Sequence, residues 1–247
     1  MISFAETDIG NIRKINEDYI YASDEPVGIL PNLYVVADGM GGHQAGDYAS
    51  RYATERLVRL IAESTRKNPV AIINESIRIV NEELYSQSKA SKNLEGMGTT
   101  LVVATIFDDV LYVANVGDSR LYRMGQELRQ ITRDHSWVEE MVREGRLTRD
   151  SALYWEKKNI ITRAIGVYEQ VTADFFEVEL EPGNRILICS DGLSNMVEDQ
   201  IIREILRQEQ NILQAGRVLI RTAKVNGGRD NISVILVDPE LCEVKEC

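Results

Sequence analysis

The sequence predicts a single layered α+β domain built on largely antiparallel sheet. Helical and strand patterns come in separate pairs and do not alternate as βαβ units. Residues 99–107 and 110–116 are β-rich runs split only by Asp108-Asp109, which reads as a hairpin. Residues 120–123 and 127–131 follow around Met124-Gly125-Gln126, so the four runs read as one antiparallel meander. The chain has 247 residues, of which 44% are hydrophobic and 27% charged, enough to bury a sizeable core.

In chain order, residues 2–5 form a short strand candidate and Gly10-Asn11 turns the chain. A charged stretch, Arg13-Lys14-Ile15-Asn16-Glu17-Asp18, precedes a strand over 19–22; alone it reads as a solvated loop. Residues 34–37 form a buried strand with Asp38 at its end. Apolar positions 49, 53, 57, 60 and 61 mark a helix over 45–63. Asn68-Pro69 caps a second helix, carried by Ile73, Ile77, Val80 and Leu84 to about 88.

Residues 89–98 read as a loop. Ser136 and Glu139 form a capping box for a helix with Trp137, Val138, Met141 and Val142 as its apolar stripe, ended by Gly145. Residues 146–160 are a polar excursion containing Tyr154 and Trp155. A weak alternation over 171–180 leads through the turn Glu181-Pro182-Gly183-Asn184 to a strand over 185–189. Residues 198–208 make a helix with Ile201, Ile202, Ile205 and Leu206 inward, and Asn211 starts another to about 225. A turn at 226–231 opens the last strand, 232–237, and 238–247 is a polar tail. The domain is expected over 1–240, with 241–247 as the tail.

The net charge of −11 disfavours nucleic acid and anionic membranes as partners. Cys189, Cys242 and Cys247 are odd in number and show no C-x-x-C spacing, the pattern of a reducing, cytoplasmic compartment. The N-terminus carries no signal-peptide pattern, and no run approaches a membrane span.

Chemistry enters through the acids. Apolar runs deliver Asp38-Gly39, Gly117-Asp118 and Asp191-Gly192, and Asp230 opens the last strand. One Asp-Gly is an ordinary turn dipeptide. Several, each anchored on a strand, suggest one acidic cluster gathered at a sheet edge. Clustered carboxylates repel one another unless a cation lies between them. Oxygen ligands without cysteine suit Mg²⁺ or Mn²⁺, and a two-metal site suits in-line hydrolysis of phosphoesters. Arg13 completes such a site as a bidentate phosphate ligand. Neither His43 nor His135 sits in a nucleophilic triad motif, Cys189 lies inside a strand, and a Walker-type phosphate loop is absent.

Eight short motifs run in order from about 10 to 237. They are Arg13-x-x-Asn16-Glu17-Asp18, Val36-Ala37-Asp38-Gly39-Met40-Gly41-Gly42-His43, Met97-Gly98-Thr99-Thr100, Val116-Gly117-Asp118-Ser119-Arg120, Thr132-x-Asp134-His135-Ser136, Ile161-Thr162-Arg163-Ala164-Ile165-Gly166, Ser190-Asp191-Gly192-Leu193 and Gly228-x-Asp230-Asn231. Together they resemble the metal-dependent protein phosphatases of the protein phosphatase 2C type, most closely the bacterial serine/threonine enzymes. The resemblance implies a four-layer αββα sandwich, two antiparallel sheets face to face between helices.

It further implies that Asp38 bridges two Mn²⁺ or Mg²⁺ ions, with Asp191 and Asp230 on the first and the Gly39 carbonyl on the second. Glu17 and Asp18 act close by through metal-bound water, Asp118 holds a third, weaker metal, and Arg13 binds phosphate. The 97–100 stretch enters a strand under the site. The implied activity is dephosphorylation of phosphoserine and phosphothreonine in proteins, opposing a serine/threonine kinase, by a cytoplasmic monomer. A catalytically weak phosphoprotein-binding module and a dedicated regulator phosphatase are the alternatives on the same fold.

Two positions depart from the pattern. Met40 stands where distant eukaryotic relatives carry a histidine proposed as general acid; His43 or a metal-bound water would take that role. Trp155-Glu156 replaces a His-Pro pair common in the bacterial flap, which bears on substrate preference. His135 is expected to brace the backbone near the site.

Overall fold

The computed structural model describes residues 1–42 and 45–239. His43 and the tail 241–247 therefore lie outside the described residues. Among the described residues the strands are β1 (Ile2–Asp8), β2 (Asp18–Ser23), β3 (Leu33–Met40), β4 (Gly98–Thr99), β5 (Leu101–Phe107), β6 (Val110–Val116), β7 (Arg120–Met124), β8 (Leu128–Gln130), β9 (Asp174–Glu179), β10 (Arg185–Cys189) and β11 (Ile232–Asp238). The helices are α1 (Ala45–Glu63), α2 (Pro69–Ala90), α3 (Trp137–Arg143), α4 (Ala152–Lys157), α5 (Asp191–Ser194), α6 (Asp199–Gln208) and α7 (Ile212–Val225).

All strand pairs are antiparallel. One sheet runs β1-β11-β10-β7-β8; the other runs β2-β3-β5-β6-β9, with β4 pairing β3. The layers follow from which face each residue takes. In β3, Val35 and Ala37 pack under α1 and α2 with Leu57, Ile73 and Val80. Their neighbours Tyr34 and Val36 point the other way, into the space between the sheets. In β10, Leu187 and Cys189 face the α6 and α7 side with Leu206 and Leu219, while Ile186 and Ile188 face the other sheet. Both faces of each sheet are thus covered. That is why these strands are continuous apolar runs without a polar face. The arrangement is the expected four-layer αββα sandwich.

Several expectations need correction. The four β runs between 99 and 131 are not one meander. β5 and β6 belong to one sheet, β7 and β8 to the other, and Gly117-Asp118-Ser119 carries the chain between them. Gly117 takes a positive φ of 107° there, with a Cβ position only 2.6 Å from the Thr100 side chain, so a side chain is excluded twice over. Thr100 leaves the expected strand and bonds Asp38 instead, its N–H donating to the Asp38 carbonyl at 2.8 Å.

Asp38 does not end its strand. β3 continues through Gly39 and Met40, which pair with Thr99 and Gly98. Asp38 is accordingly not at a sheet edge, since β3 is flanked by β2 and β5, whereas Asp18 opens the edge strand β2. Ile201 is 38% exposed and not inward; the helix face is set by Ile202, Ile205 and Leu206. At α3 the Ser136 hydroxyl accepts the Glu139 N–H, but the Glu139 carboxylate turns to Arg149 and Tyr154. Of the α3 stripe only Val138 is buried. Among the described residues no helix is long and apolar enough to cross a membrane.

Candidate metal centre

The acids converge at one end of the sandwich, where both sheets contribute. Asp18 opens β2 and stands directly opposite Asp38 in the β2–β3 register. Asp191 follows β10 as the first residue of α5, and Asp230 precedes β11, the neighbour of β10. Asp118 rides the crossover between the sheets. Asp18 is buried; Asp38, Asp118, Asp191 and Asp230 are half-buried.

Glycines let these segments touch. A Cβ on Gly39 would lie 2.1 Å from the Gly46 carbonyl of α1 and 2.6 Å from that of Glu17. A Cβ on Gly192 would lie 1.9 Å from the Asn231 carbonyl. Both contacts are with backbone, which cannot swing aside, so only glycine brings Asp38 and Asp191 this close to their neighbours.

Hydrogen bonds fix the acids. The Asp38 N–H donates to Thr100 Oγ1 at 2.9 Å, and Thr99 Oγ1 donates to the Asp38 carbonyl at 3.0 Å. Ser190 and Ser233 hydroxyls each reach Asp18 Oδ2 at 2.7 Å, joining the first sheet to the second. Asn195 Nδ2 donates to Asp191 Oδ2 at 2.9 Å. Arg13 meets Asp230 at 2.7 Å and approaches Glu17 at 3.9 Å.

The electrostatics are those of crowded acids. Burial, then the charges of Asp18, Asp191, Asp118 and Asp230, push the Asp38 carboxyl well above the ordinary carboxylate range. Burial raises Asp18 as well, against the opposing hydrogen bonds of Ser233 and Ser190. Burial and Asp230 raise Asp191. Burial, Asp191 and Asp134 raise Asp118.

The donor set fits a hard divalent cation. Every candidate ligand is an oxygen. Moreover Asp18 Oδ1, Asp191 Oδ1 and Glu17 Oε1 are buried oxygens without a hydrogen-bond partner among the described residues, an arrangement native proteins seldom keep without a use. Among the described residues no three His, Cys, Asp or Glu side chains lie close enough together to hold one metal ion, and Arg13 sits among the acids instead.

The structure brings together Arg13, Asp18, Asp38, Gly39, Asp118, Asp191 and Asp230. His135 stands apart from the acids and braces the crossover. Its Nδ1 accepts the Gly117 N–H at 3.1 Å, its backbone N–H donates to the Gly117 carbonyl at 2.9 Å, and its Nε2 meets Asp174 at 3.2 Å. Ser190, Ser233 and Asn231 were not singled out by the sequence; their signal was only adjacency to Asp191 and Asp230. A cavity of about 910 Å³ opens beside the acids, between the 146–160 excursion and residues 194–199. Tyr154, Trp155 and Lys158 line it, whereas Asp18, Asp38, Asp191 and Asp230 do not.

Comparison with known proteins identifies the family. The family model described as protein phosphatase 2C matches residues 13–229. A serine/threonine phosphatase stp of Listeria monocytogenes is 38% identical over 251 residues, covering 96% of this chain and 95% of its own. Protein phosphatase PhpP of Streptococcus pneumoniae is 37% identical, covering 94% of each. The crystal structure of the Mycobacterium tuberculosis serine/threonine phosphatase PstP/Ppp superposes with a TM-score of 0.88 at 35% identity, covering 97% of this chain and 99% of that one. A structure of the PstP catalytic domain in complex with two manganese ions superposes with a TM-score of 0.83 at 35% identity, covering 95% and 96%. The chain belongs to the protein phosphatase 2C family, whose members are metal-dependent hydrolases.

Proposed function

We propose that this chain is a metal-dependent protein phosphatase that hydrolyses phosphoserine and phosphothreonine in proteins. The observation that carries the reading is the set of buried, unpartnered carboxylate oxygens on Asp18, Asp191 and Glu17 around Asp38. In this reading Asp38, Asp191, Asp230 and the Gly39 carbonyl would hold two ions, Mn²⁺ or Mg²⁺, and Asp118 would help hold a third. Ions held there supply an activated water and neutralise charge on the phosphate oxygens. Asp18 would act beside the ions through its buried, unpartnered Oδ1. Arg13, 46% exposed at its side chain, exchanges Asp230 for the substrate phosphate as a bidentate fork.

The intact acids favour an enzyme over a binding module. Residues 1–240 act as one domain in this reading, because each sheet supplies part of the site. The biological setting is the cytoplasm, opposite a serine/threonine kinase, with the chain as a monomer. The test is phosphate release from a phosphothreonine peptide with Mn²⁺, with chelator, and for Asp191→Ala. Turnover that needs metal and falls at least about 100-fold in the variant is expected, as for loss of a group acting in the transition state. Turnover that survives both chelator and variant would place the chemistry elsewhere.

A further inference from the structure

The loop that carries Arg13 has little of its own to hold it. Residues 9–17 lie between β1 and β2 without regular structure, and 11–15 are exposed. Its apolar side chains do not anchor it: Ile12 is 67% exposed and Ile15 41%. An arginine on such a segment would ordinarily sample many orientations and lose binding entropy in selecting one.

One buried amide closes the loop. Asn231, 3% exposed, donates through Nδ2 to the carbonyls of Ile9 and Ile15, both at 3.0 Å. Its Oδ1 accepts the Glu17 N–H at 2.9 Å. Both Nδ2 hydrogens and one Oδ1 lone pair are thereby used, and the two donor bonds span the loop from end to end. Nearby contacts share the same frame. The Asn11 N–H donates to the Gly228 carbonyl at 2.7 Å, and Asn11 Nδ2 to the Lys224 and Gly227 carbonyls. A Cβ on Gly10 would lie 2.2 Å from the Asp230 carbonyl. The strand that presents Asp230 thus also sets the loop that presents Arg13.

We infer that Asn231 is a positioning residue that aims Arg13 at the substrate phosphate by stapling the 9–15 loop to the start of β11. The inference rests on the reading of Arg13 as the phosphate ligand. It assigns Asn231 an effect on substrate binding separate from the metal ligation proposed for its neighbour Asp230. No other side chain can replace it easily. Aspartate keeps the Glu17 acceptor but sets a carboxylate oxygen against two carbonyls; alanine leaves those carbonyls and the Glu17 N–H unpaired.

A double-mutant cycle decides the matter. Asn231→Ala is expected to raise KM for a phosphothreonine peptide about tenfold, the scale of a lost buried hydrogen bond, with kcat changed less. In an Arg13→Ala background the same substitution should change kcat/KM by less than about twofold, because the group it acts through is gone. Mn²⁺ affinity by calorimetry should stay within about twofold of the parent, and amide hydrogen exchange over residues 11–16 should quicken. Asn231→Asp serves the same cycle if the alanine variant does not fold.

Additive effects of the two substitutions, or a fall in Mn²⁺ affinity that accounts for the lost activity, would overturn the inference. If Arg13→Ala alone left KM unchanged, the phosphate role of Arg13 would fail and this inference with it. A full Arg13 effect without coupling would overturn the Asn231 role alone.

Discussion

His135 holds its ring in one tautomer. Nδ1 accepts from the Gly117 N–H, which leaves Nε2–H to face Asp174, with the Arg163 guanidinium 3.3 Å from the same nitrogen. A proton on Nδ1 would displace the Gly117 bond beside Asp118. Burial lowers the His135 pKa below 6.5, helped by the Arg163 charge, although Asp174 pulls the other way. The unfolded chain then takes up the proton more readily than the folded one, so stability is full above about 6.5 and falls as pH drops through the folded pKa. Urea unfolding of the parent and His135→Gln between pH 5 and 7.5 tests this. The parent should lose more stability on acidification than the variant; equal slopes would count against the assignment. At this scale the acids were legible because most adjoin a glycine and each lies in or beside an apolar strand run. Asn231 was not. Its role depends on carbonyls more than two hundred residues away in the chain, and nothing local announces that.

Elements were legible where one force dominates. The α2 cap is an example: the Asn68 side chain accepts the Ala71 N–H at 2.9 Å, and Pro69 follows at the first helical position. Asn68→Ala should cost about 1 kcal/mol in denaturant melts, since an unsatisfied helix donor is the only loss; a neutral result would mean the first turn is held by Ile72 and Ile73 packing alone. Continuous apolar strands were equally plain, since each buries two faces. Which sheet a strand joins was not, because hairpin β5–β6 and hairpin β7–β8 carry the same local pattern. Only the backbone at Gly117 separates them. The 146–160 excursion gave still less. Its one helix, α4, buries Tyr154 against Glu139 while Trp155 stays 59% exposed, and neither fact follows from periodicity in six residues.

Across the whole molecule, the crowded acids trade stability for function. A carboxyl whose folded pKa is raised costs stability as pH rises above its unfolded value, and Asp38 is raised by burial and by four neighbours. Asp38→Asn should therefore melt higher than the parent in chelator, and the order should reverse in saturating Mn²⁺, where binding stabilises the parent by mass action. A variant that melts lower in both conditions would show that Asp38 contributes to folding in its own right.

The serine bonds to Asp18 have a mechanical meaning as well. Through the middle of the sandwich the two sheets meet through aliphatic side chains such as Val36, Val102, Ile188 and Ile235, whose attraction is non-directional and tolerates sliding. At Asp18 the contact is directional: the hydroxyls of Ser190, just past β10, and of Ser233 in β11 bind one carboxylate oxygen from β2. Any shear of one sheet over the other must break these bonds, so the reactive end has a fixed footing; a second clasp, the Ser3 N–H donating to Asp24 Oδ2 at 3.0 Å, ties the start of β1 to the chain just past the far end of β2.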